Sequence, residues 1–581
     1  MQNEENEIRK LPEREVTMYR KVIIIMGIFL GVCCLFSCSK RTINHYDILI
    51  KGGQIVNGTG NPWFYADVGI RGDVIVAIGS LDADKADTVI NAEGLVVSPG
   101  FIDLHTHCDE DLGKPGYNVN LNYLIQGTTT VVTGNCGMGT YKIAETKADW
   151  EKRGIGTNAV LQVGNIPVRR AVMGKDQLRS PTDEELKQMQ KLVRQAMQEG
   201  AWGISTCLEY EGYDQFVTTE EVIALTRPVA EFGGLYNSHI RDEAYHLLEA
   251  IKEIICISEE TGVPVNISHL KACGRDNWGL MKEAVRLIQD ARDRGIQITA
   301  DQYPFLQGAP IDFITELVDI PPDMQPLAEL REKAYDEELP KTEREQVRRQ
   351  YVKELQNALR DPAKRERLRE STYEKRPDNP SPVARWGWQD FRIKVARKNP
   401  RLVDKLLVDL IQEQKRDGFD VIADLILDEP DILFASSSQS VEDNRLAMIQ
   451  NWVMVSSDGM AYPIIKETDK PVRGHPRDFS SQAIILRKYV REEKLLSLEE
   501  AIRKMTSLPA QVLKMKDRGL LLEGYKADIV VFNPETVRDN ATYDNALQYA
   551  SGVEYVLVNG KIAVEKGKFN GTLNGRVLLK N

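Results

Sequence analysis

Residues 218–239 read TTEEVIALTRPVAEFGGLYNSH, and GVPVNISH follows at 262–269. The first stretch opens on Thr-Thr-Glu-Glu, a start that suits a helix cap, and its apolar residues then recur at helical spacing. It closes on a short strand, GGLYNSH, that ends in His239; the second stretch is a strand ending in His269. The alternation continues outward. TTTVVTGN (128–135) and TNAVLQVG (157–164) read as strands, and TDEELKQMQKLVRQAMQEG (182–200) as a capped helix. Strands alternating with helices over the long middle of the chain predict βα units and a closed parallel barrel, an α/β fold.

Both ends have a different rhythm. DILIKGGQIVNG, ADVGIRGDVIVAIG and DTVINAEGLVVSPG (47–100) alternate apolar and polar residues between Gly-Gly, Asn-Gly and Arg-Gly-Asp turns. ADIVVFNP and VEYVLVNGKIAVEKGKF (527–569) match them. The expected organisation is one small β domain from 46–100 and 520–578, with the barrel, 101–519, inserted between its halves. Within the barrel, 320–430 is charge-rich and helical and is expected to form an insertion, its basic helix face being solvated surface.

The 581 residues are 42% hydrophobic and 28% charged, enough for a large core and a second domain. The net charge of -11 and the lack of any run mixing dense Lys/Arg with aromatics argue against a nucleic-acid partner. Near the N-terminus, VIIIMGIFLGVCCLFS (22–37) lies between Tyr19-Arg20-Lys21 and Cys38-Ser39-Lys40-Arg41. That is the plan of a secretory signal, and it is short for a membrane span, which needs roughly 20 residues. Leu35-Phe36-Ser37-Cys38 resembles a bacterial lipoprotein cleavage box, so 1–38 is expected to be a signal peptide cleaved before a lipidated Cys38. Met18 makes a better start than Met1. An uncleaved anchor helix is the other reading, and either places the body outside the cytoplasm, periplasmic or on the cell envelope. Membrane contact is expected only through this N-terminus. Beyond it five cysteines remain, Cys108, Cys136, Cys207, Cys256 and Cys273, without a small-domain disulfide pattern.

Of the seven histidines, His105, His107, His239 and His269 follow apolar strands. Residues at the C-terminal ends of barrel strands converge on one face, where barrel enzymes do their chemistry. In His105-Thr106-His107 the period of a strand puts both imidazoles on one side. Val453–Gly459 (VMVSSDG) is a further strand, ending in Asp458 at a glycine turn. Four imidazoles and a carboxylate at strand ends fit a hydrolytic zinc site. Cys136, in TGNCGMG (133–139), has glycines that let its thiol approach a ligand. It reads as a zinc ligand able to bridge two ions, as a buried core residue, or as a nucleophile. Asp458 is the natural general base, able to take a proton from water attacking a carbonyl and return it to the leaving nitrogen. Lys271, Tyr303 and Arg477 are candidates to meet a substrate carboxylate.

PGFIDLHTHCD, GTTTVVTGNCG, YNSHIRDE, VNISHLKACG, DQYP, VMVSSDG and GHPRDF, in that order, resemble the amidohydrolase superfamily, specifically its N-acyl-D-amino-acid deacylase (D-aminoacylase) family, over about residues 47–578. The tail GLLLEGYKADIVVFNPETVRDNATY is similar to that family's return into its small β domain. The resemblance implies a distorted (β/α)8 TIM-like barrel with a β-sandwich. It implies one tight Zn2+ on Cys136, His239 and His269, and a second, weaker site on His105, His107 and Asp458. It also implies Asp458 as the catalytic aspartate and Lys271 and Tyr303 as substrate-carboxylate contacts, with Arg477 a helper. Two loops depart from the family, at Gly164-Asn165-Ile166-Pro167 and at Cys207-Leu208-Glu209-Tyr210. The expected activity is zinc-dependent hydrolysis of N-acyl-D-amino acids, a small-molecule substrate. The alternatives are a hydantoinase- or dihydroorotase-like cyclic amide hydrolase, a hydrolase of dipeptides containing D-amino acids, and a non-catalytic surface binding protein.

Overall fold

The β-rich N-terminal segment forms β1 (Tyr46–Ile55), β2 (Phe64–Arg71), β3 (Val74–Gly79), β4 (Ala86–Asn91) and β5 (Val96–Pro99). The first three pair antiparallel in sequence, while β4 and β5 both run parallel to β1. The computed structural model describes residues 45–109, 111–209, 216–308, 312–334, 341–374, 381–403, 405–436, 439–464, 474–543 and 545–580. The expected signal segment and Cys38 lie outside these residues. Among the described residues no helix is long and apolar enough to cross a membrane.

The barrel follows. Its strands are β6 (Phe101–Asp103), β7 (Thr128–Thr133), β8 (Asn158–Leu161), β9 (Val163–Gly164), β10 (Gly203–Cys207), β11 (Leu235–His239), β12 (Val265–Ile267) and β13 (Ile298–Gln302). An insertion carries β14 (Asp312–Phe313), β15 (Phe391–Val395) and β16 (Leu433–Ser436), after which β17 (Val453–Val455) re-enters the barrel. β6, β7 and β8 are parallel neighbours, as are β9 to β13 and β17. Thr106 bridges Gly459 in parallel and joins the end of β6 to that of β17. Continuous burial along these strands fits a sheet covered by helices on one face and filled on the other. The helices start as their sequences suggest. Thr182 and Glu185 form a reciprocal capping box, and Thr218 caps the Glu221 amide at 3.3 Å.

The chain then returns through β18 (Ile529–Phe532), β19 (Val553–Val558), β20 (Lys561–Glu565) and β21 (Lys568–Phe569). β18 pairs antiparallel with β5, so both chain ends build one sheet around a core that includes Ile50, Val68, Ile75, Val97, Ile529, Val531 and Leu557. A last strand, β22 (Val577–Leu578), leaves this sheet and pairs with β8 of the barrel. The β-sheet contribution of the C-terminal segment thus ends at Phe569, short of the expected 578, because Val577 and Leu579 pack into the barrel core. β22 takes the edge of β8, Gln162 separates β8 from β9, and the Trp202 indole, just before β10, donates to the Leu578 carbonyl at 2.6 Å.

The insertion is wider than 320–430. It has its own core, from Ile314 to Phe434, and a small antiparallel sheet, β14–β16–β15, whose two- to five-residue strands leave no readable period beside the charged helices.

One barrel-wall contact carries a large stability term. Arg169 (0% exposed) makes a bidentate ion pair with Glu221 (2%) and also donates to the Gln177 and Arg179 carbonyls. Burial pushes the Glu221 carboxyl up even with the guanidinium beside it. Arg169→Met leaves that acid buried without its partner, and the expected cost is about 3–5 kcal/mol. The measurement is the urea midpoint, with Glu221→Gln in the same background recovering part of the loss.

Candidate metal centre at the C-terminal end of the barrel

The turn after β7 sets the first ligand candidate. Gly134 has φ +83°, and a Cβ there would sit 2.5 Å from the Gln162 carbonyl oxygen, so only glycine fits. Asn135 then pins the turn by donating to the Leu104, Thr106 and Val132 carbonyls, and the Gly137 amide donates to Ser205 Oγ at 2.9 Å. Between them Cys136 is held at φ 49°. His269 (φ 36°) and Asp458 (φ 53°) are also in the left-handed region. Such a backbone costs a non-glycine residue on the order of 1–3 kcal/mol and persists where the surroundings impose it, often at functional sites. Three strained residues that face one another mark this end of the barrel.

The side chains converge. Cys136 Sγ lies 3.4 Å from His105 Nε2, 3.7 Å from His269 Nε2 and 3.9 Å from His239 Nδ1. The His107 ring is 5.4 Å from that of His105, and His107 Nε2 is 3.0 Å from Asp458 Oδ1. All six residues expected at the metal site are therefore brought together, in overlapping groups: Cys136, His239 and His269; His105, His107 and Cys136; His105, His269 and Asp458.

These groups fit a divalent metal. Sulfur–nitrogen separations across a tetrahedral zinc are about 3.5 Å, given its usual bond lengths, close to those found here. Burial pushes the His269 imidazole down to about 4, helped by the Lys271 ammonium and opposed by Glu243, so it is a neutral lone-pair donor at ordinary pH. Burial also drives the Cys136 thiol well up, with Asp458 adding to the effect. A protonated thiol is a poor nucleophile, whereas a nearby cation favours its thiolate. That chemistry favours the ligand reading of Cys136 over the nucleophile. None of Cys108, Cys136, Cys207, Cys256 and Cys273 forms a disulfide.

Burial also raises the Asp458 carboxyl, but Arg477, His105, His269 and the bond from His107 more than offset it and hold the group well below the usual carboxylate range. Arg477 donates to Asp458 Oδ2 at 2.6 Å. Tyr303 stands between the two candidate cations, its ring centroid 5.7 Å from Lys271 Nζ and 5.5 Å from the Arg477 guanidinium. Burial keeps its hydroxyl protonated, hence a donor.

The amidohydrolase family model matches residues 88–564. The D-aminoacylase of Alcaligenes xylosoxydans xylosoxydans is 30% identical over 93% of this chain and 99% of its own length. The chain belongs to the amidohydrolase family. Within it the match is to the D-aminoacylase branch. A crystal structure of D-aminoacylase superposes with a TM-score of 0.70 at 30% identity, covering 92% of this chain and all of that one. The N-acyl-D-glutamate deacylase of Bordetella bronchiseptica, solved with zinc and a phosphonate inhibitor, does so at 0.69 and 28%, with the same coverage. The chain is thus a metal-dependent amidohydrolase with room for one or two ions, acting on a small-molecule amide, and not a binding protein that merely kept the fold.

Three acids of this amidohydrolase escaped the sequence reading. Asp301, in DQYP at the end of β13, lies 3.2 Å from His105 Nδ1 and accepts from the His269 amide at 3.0 Å. Glu243 lies 2.8 Å from His269 Nδ1 and accepts from Lys271 Nζ at 2.6 Å. Its position four residues after His239, inside YNSHIRDE, was the available signal. Glu209 belongs to the loop that departs from the family, and its carboxylate faces His239 Nε2 at 2.9 Å. An acid there puts the proton on Nε2 and leaves the Nδ1 lone pair toward Cys136. The other departing loop places Asn165 buried beside Gly137, at the start of the helix Asn165–Met173. Glu209→Ala is expected to weaken zinc binding about 10- to 100-fold, measured by chelator competition, with Glu209→Gln restoring part of it.

Proposed function

We propose that this amidohydrolase hydrolyses N-acyl-D-amino acids to a carboxylate and a free D-amino acid. One observation carries the reading. His105 Nε2 is 3.4 Å from Cys136 Sγ and 3.3 Å from Asp458 Oδ1, which puts an ionised carboxylate at the edge of the thiol–imidazole cluster. Cys136, His239 and His269 would hold the tight zinc, and His105, His107 and Asp458 the weaker one. A divalent cation held there supplies Lewis acidity toward the amide oxygen and a more acidic water. Asp458 accepts the proton of the attacking water and delivers it to the amide nitrogen as the C–N bond breaks. Arg477 keeps Asp458 ionised between turnovers. Lys271 and Arg477 both flank the Tyr303 ring, and these three residues would receive the substrate carboxylate. The D-configuration rests on the two relatives, both named for D-substrates.

Zinc-loaded protein assayed on N-acetyl-D- and N-acetyl-L-amino acids, hydantoin, dihydroorotate and dipeptides with a D-residue tests this. Turnover is expected to be fastest on the D-series; faster turnover of a cyclic amide, or none on any N-acyl amino acid, would sink the proposal.

We infer further that the chain is exported and held to the cell envelope by lipid on Cys38. The support is the basic, apolar and Leu-Phe-Ser-Cys order of residues 19–38. Labelled fatty acid incorporated by the wild type and absent from Cys38→Ser is the expected result.

A further inference from the structure

The opposite end of the barrel has a cavity of its own. It holds about 510 Å³ and lies against Trp202, just before β10, and against the C-terminal strand β22. The candidate metal ligands, by contrast, follow the C-terminal ends of the strands, so the two sites face opposite poles. Trp202 and Leu579 give the cavity apolar wall, and Lys514, Lys516, Lys580 and Arg576 give it charge.

That charge is only partly matched. Arg576 donates to Asp73 at 2.7 Å, Arg518 pairs with Asp528, and Lys147 pairs with Glu151. Among the described residues no carboxylate lies within ion-pair distance of Lys514, Lys516 or Lys580, though Asp517 also lines the wall. Lys580 Nζ stands 5.1 Å from the Trp202 ring centroid. Its half-burial weakens its hold on a proton, and Lys514 and Lys516, which line the same cavity, weaken it further. In a chain of net charge -11, this is a local surplus against the overall sign.

The position of the chain's entry says what fits. β1 begins at Tyr46, and Asp47 accepts the Gly72 amide at 2.7 Å. The next residue, Asp73, takes Arg576 from the cavity wall and Lys526. His45, the first described residue, therefore stands at this pole. Ahead of it in the sequence are the apolar run 22–37 and Cys38. From Cys38 to His45 is seven residues, a reach of at most about 25 Å when fully extended.

We propose that this cavity receives the phosphate of an anionic lipid headgroup, with Lys514, Lys516 and Lys580 as its donors and the Trp202–Leu579 wall toward the lipid's apolar part. Docked this way, the barrel turns its metal centre away from the bilayer and toward soluble substrate. The proposal rests on the reading of Cys38 as the lipid anchor.

The test uses the full chain on vesicles of phosphatidylcholine, alone or mixed with phosphatidylglycerol, with wild type and a Lys514→Gln/Lys516→Gln/Lys580→Gln variant. The anchor acts alike on both vesicles, so the cavity shows itself as a surplus on the anionic ones. The variant is expected to lose on the order of 100-fold of that surplus, since each lysine near such a surface contributes a roughly fivefold factor. Amide-exchange protection of residues 576–580 should appear on anionic vesicles alone and fade with salt. Equal binding to both vesicles, unchanged in the variant, overturns the cavity. Protection by inorganic phosphate without vesicle preference overturns the lipid assignment. Failure of the anchor reading shows separately, as absent fatty-acid label.

Discussion

Asp458→Asn is expected to lower kcat about 1,000-fold while the protein keeps its tightly held zinc. The substitution preserves size and leaves an oxygen able to accept from Arg477, so the left-handed turn at Ser457–Gly459 should hold. What it removes is the proton acceptor. Both the loss of a proton from water and its delivery to the departing nitrogen pass through this one carboxyl in the proposed reaction. Cys136, His239 and His269 form a donor group without Asp458, so zinc measured on the purified variant should stay near wild-type content. Activity within tenfold of wild type would remove Asp458 from the chemistry. The neighbouring guanidinium makes a pH test available. Arg477 favours the ionised carboxylate, so Arg477→Met raises the Asp458 pKa toward that of a buried acid. Activity needs the ionised form, and the acid limb of kcat/KM should therefore move to higher pH. An unmoved limb would mean that another group sets it.

Cys136→Ala should abolish activity by abolishing metal retention, with zinc affinity falling more than about 100-fold. The sulfur lies 3.4–3.9 Å from all three of His105, His239 and His269 and belongs to two of the donor groups described above. Added zinc should restore some turnover to Glu209→Ala, which keeps every donor, and little to Cys136→Ala. A Cys136→Ala protein with full zinc and full turnover would show that the thiol is an ordinary core residue.

Much of this molecule was legible in its sequence because local chemistry repeats where the fold repeats. The 218–269 stretch displays a capped helix, a strand and a terminal histidine in the order in which a barrel lays them down. PGFIDLHTHCD and VMVSSDG announce their metal and base residues at strand ends. Other features were out of reach. Asp301, Glu243 and Glu209 act by facing imidazoles brought in from other strands; the four-residue spacing from His239 marks Glu243 as a neighbour of that ring, but not that its close partner is His269. The insertion's two- to five-residue strands are too short to show a period, and the pairing of β22 with β8 depends on packing near Trp202 that no local pattern displays.

The sequence by itself determined the alternation that closes a barrel, the small β domain built from both ends, and the residue types that reach its open face, because hydrophobic period and turn chemistry act within a few residues. Only the tertiary structure decided which acid steadies each histidine, how Cys136, His269 and Asp458 are forced into left-handed backbone, and where three lysines line one cavity at the far pole. Those depend on distances between segments hundreds of residues apart, which packing alone fixes.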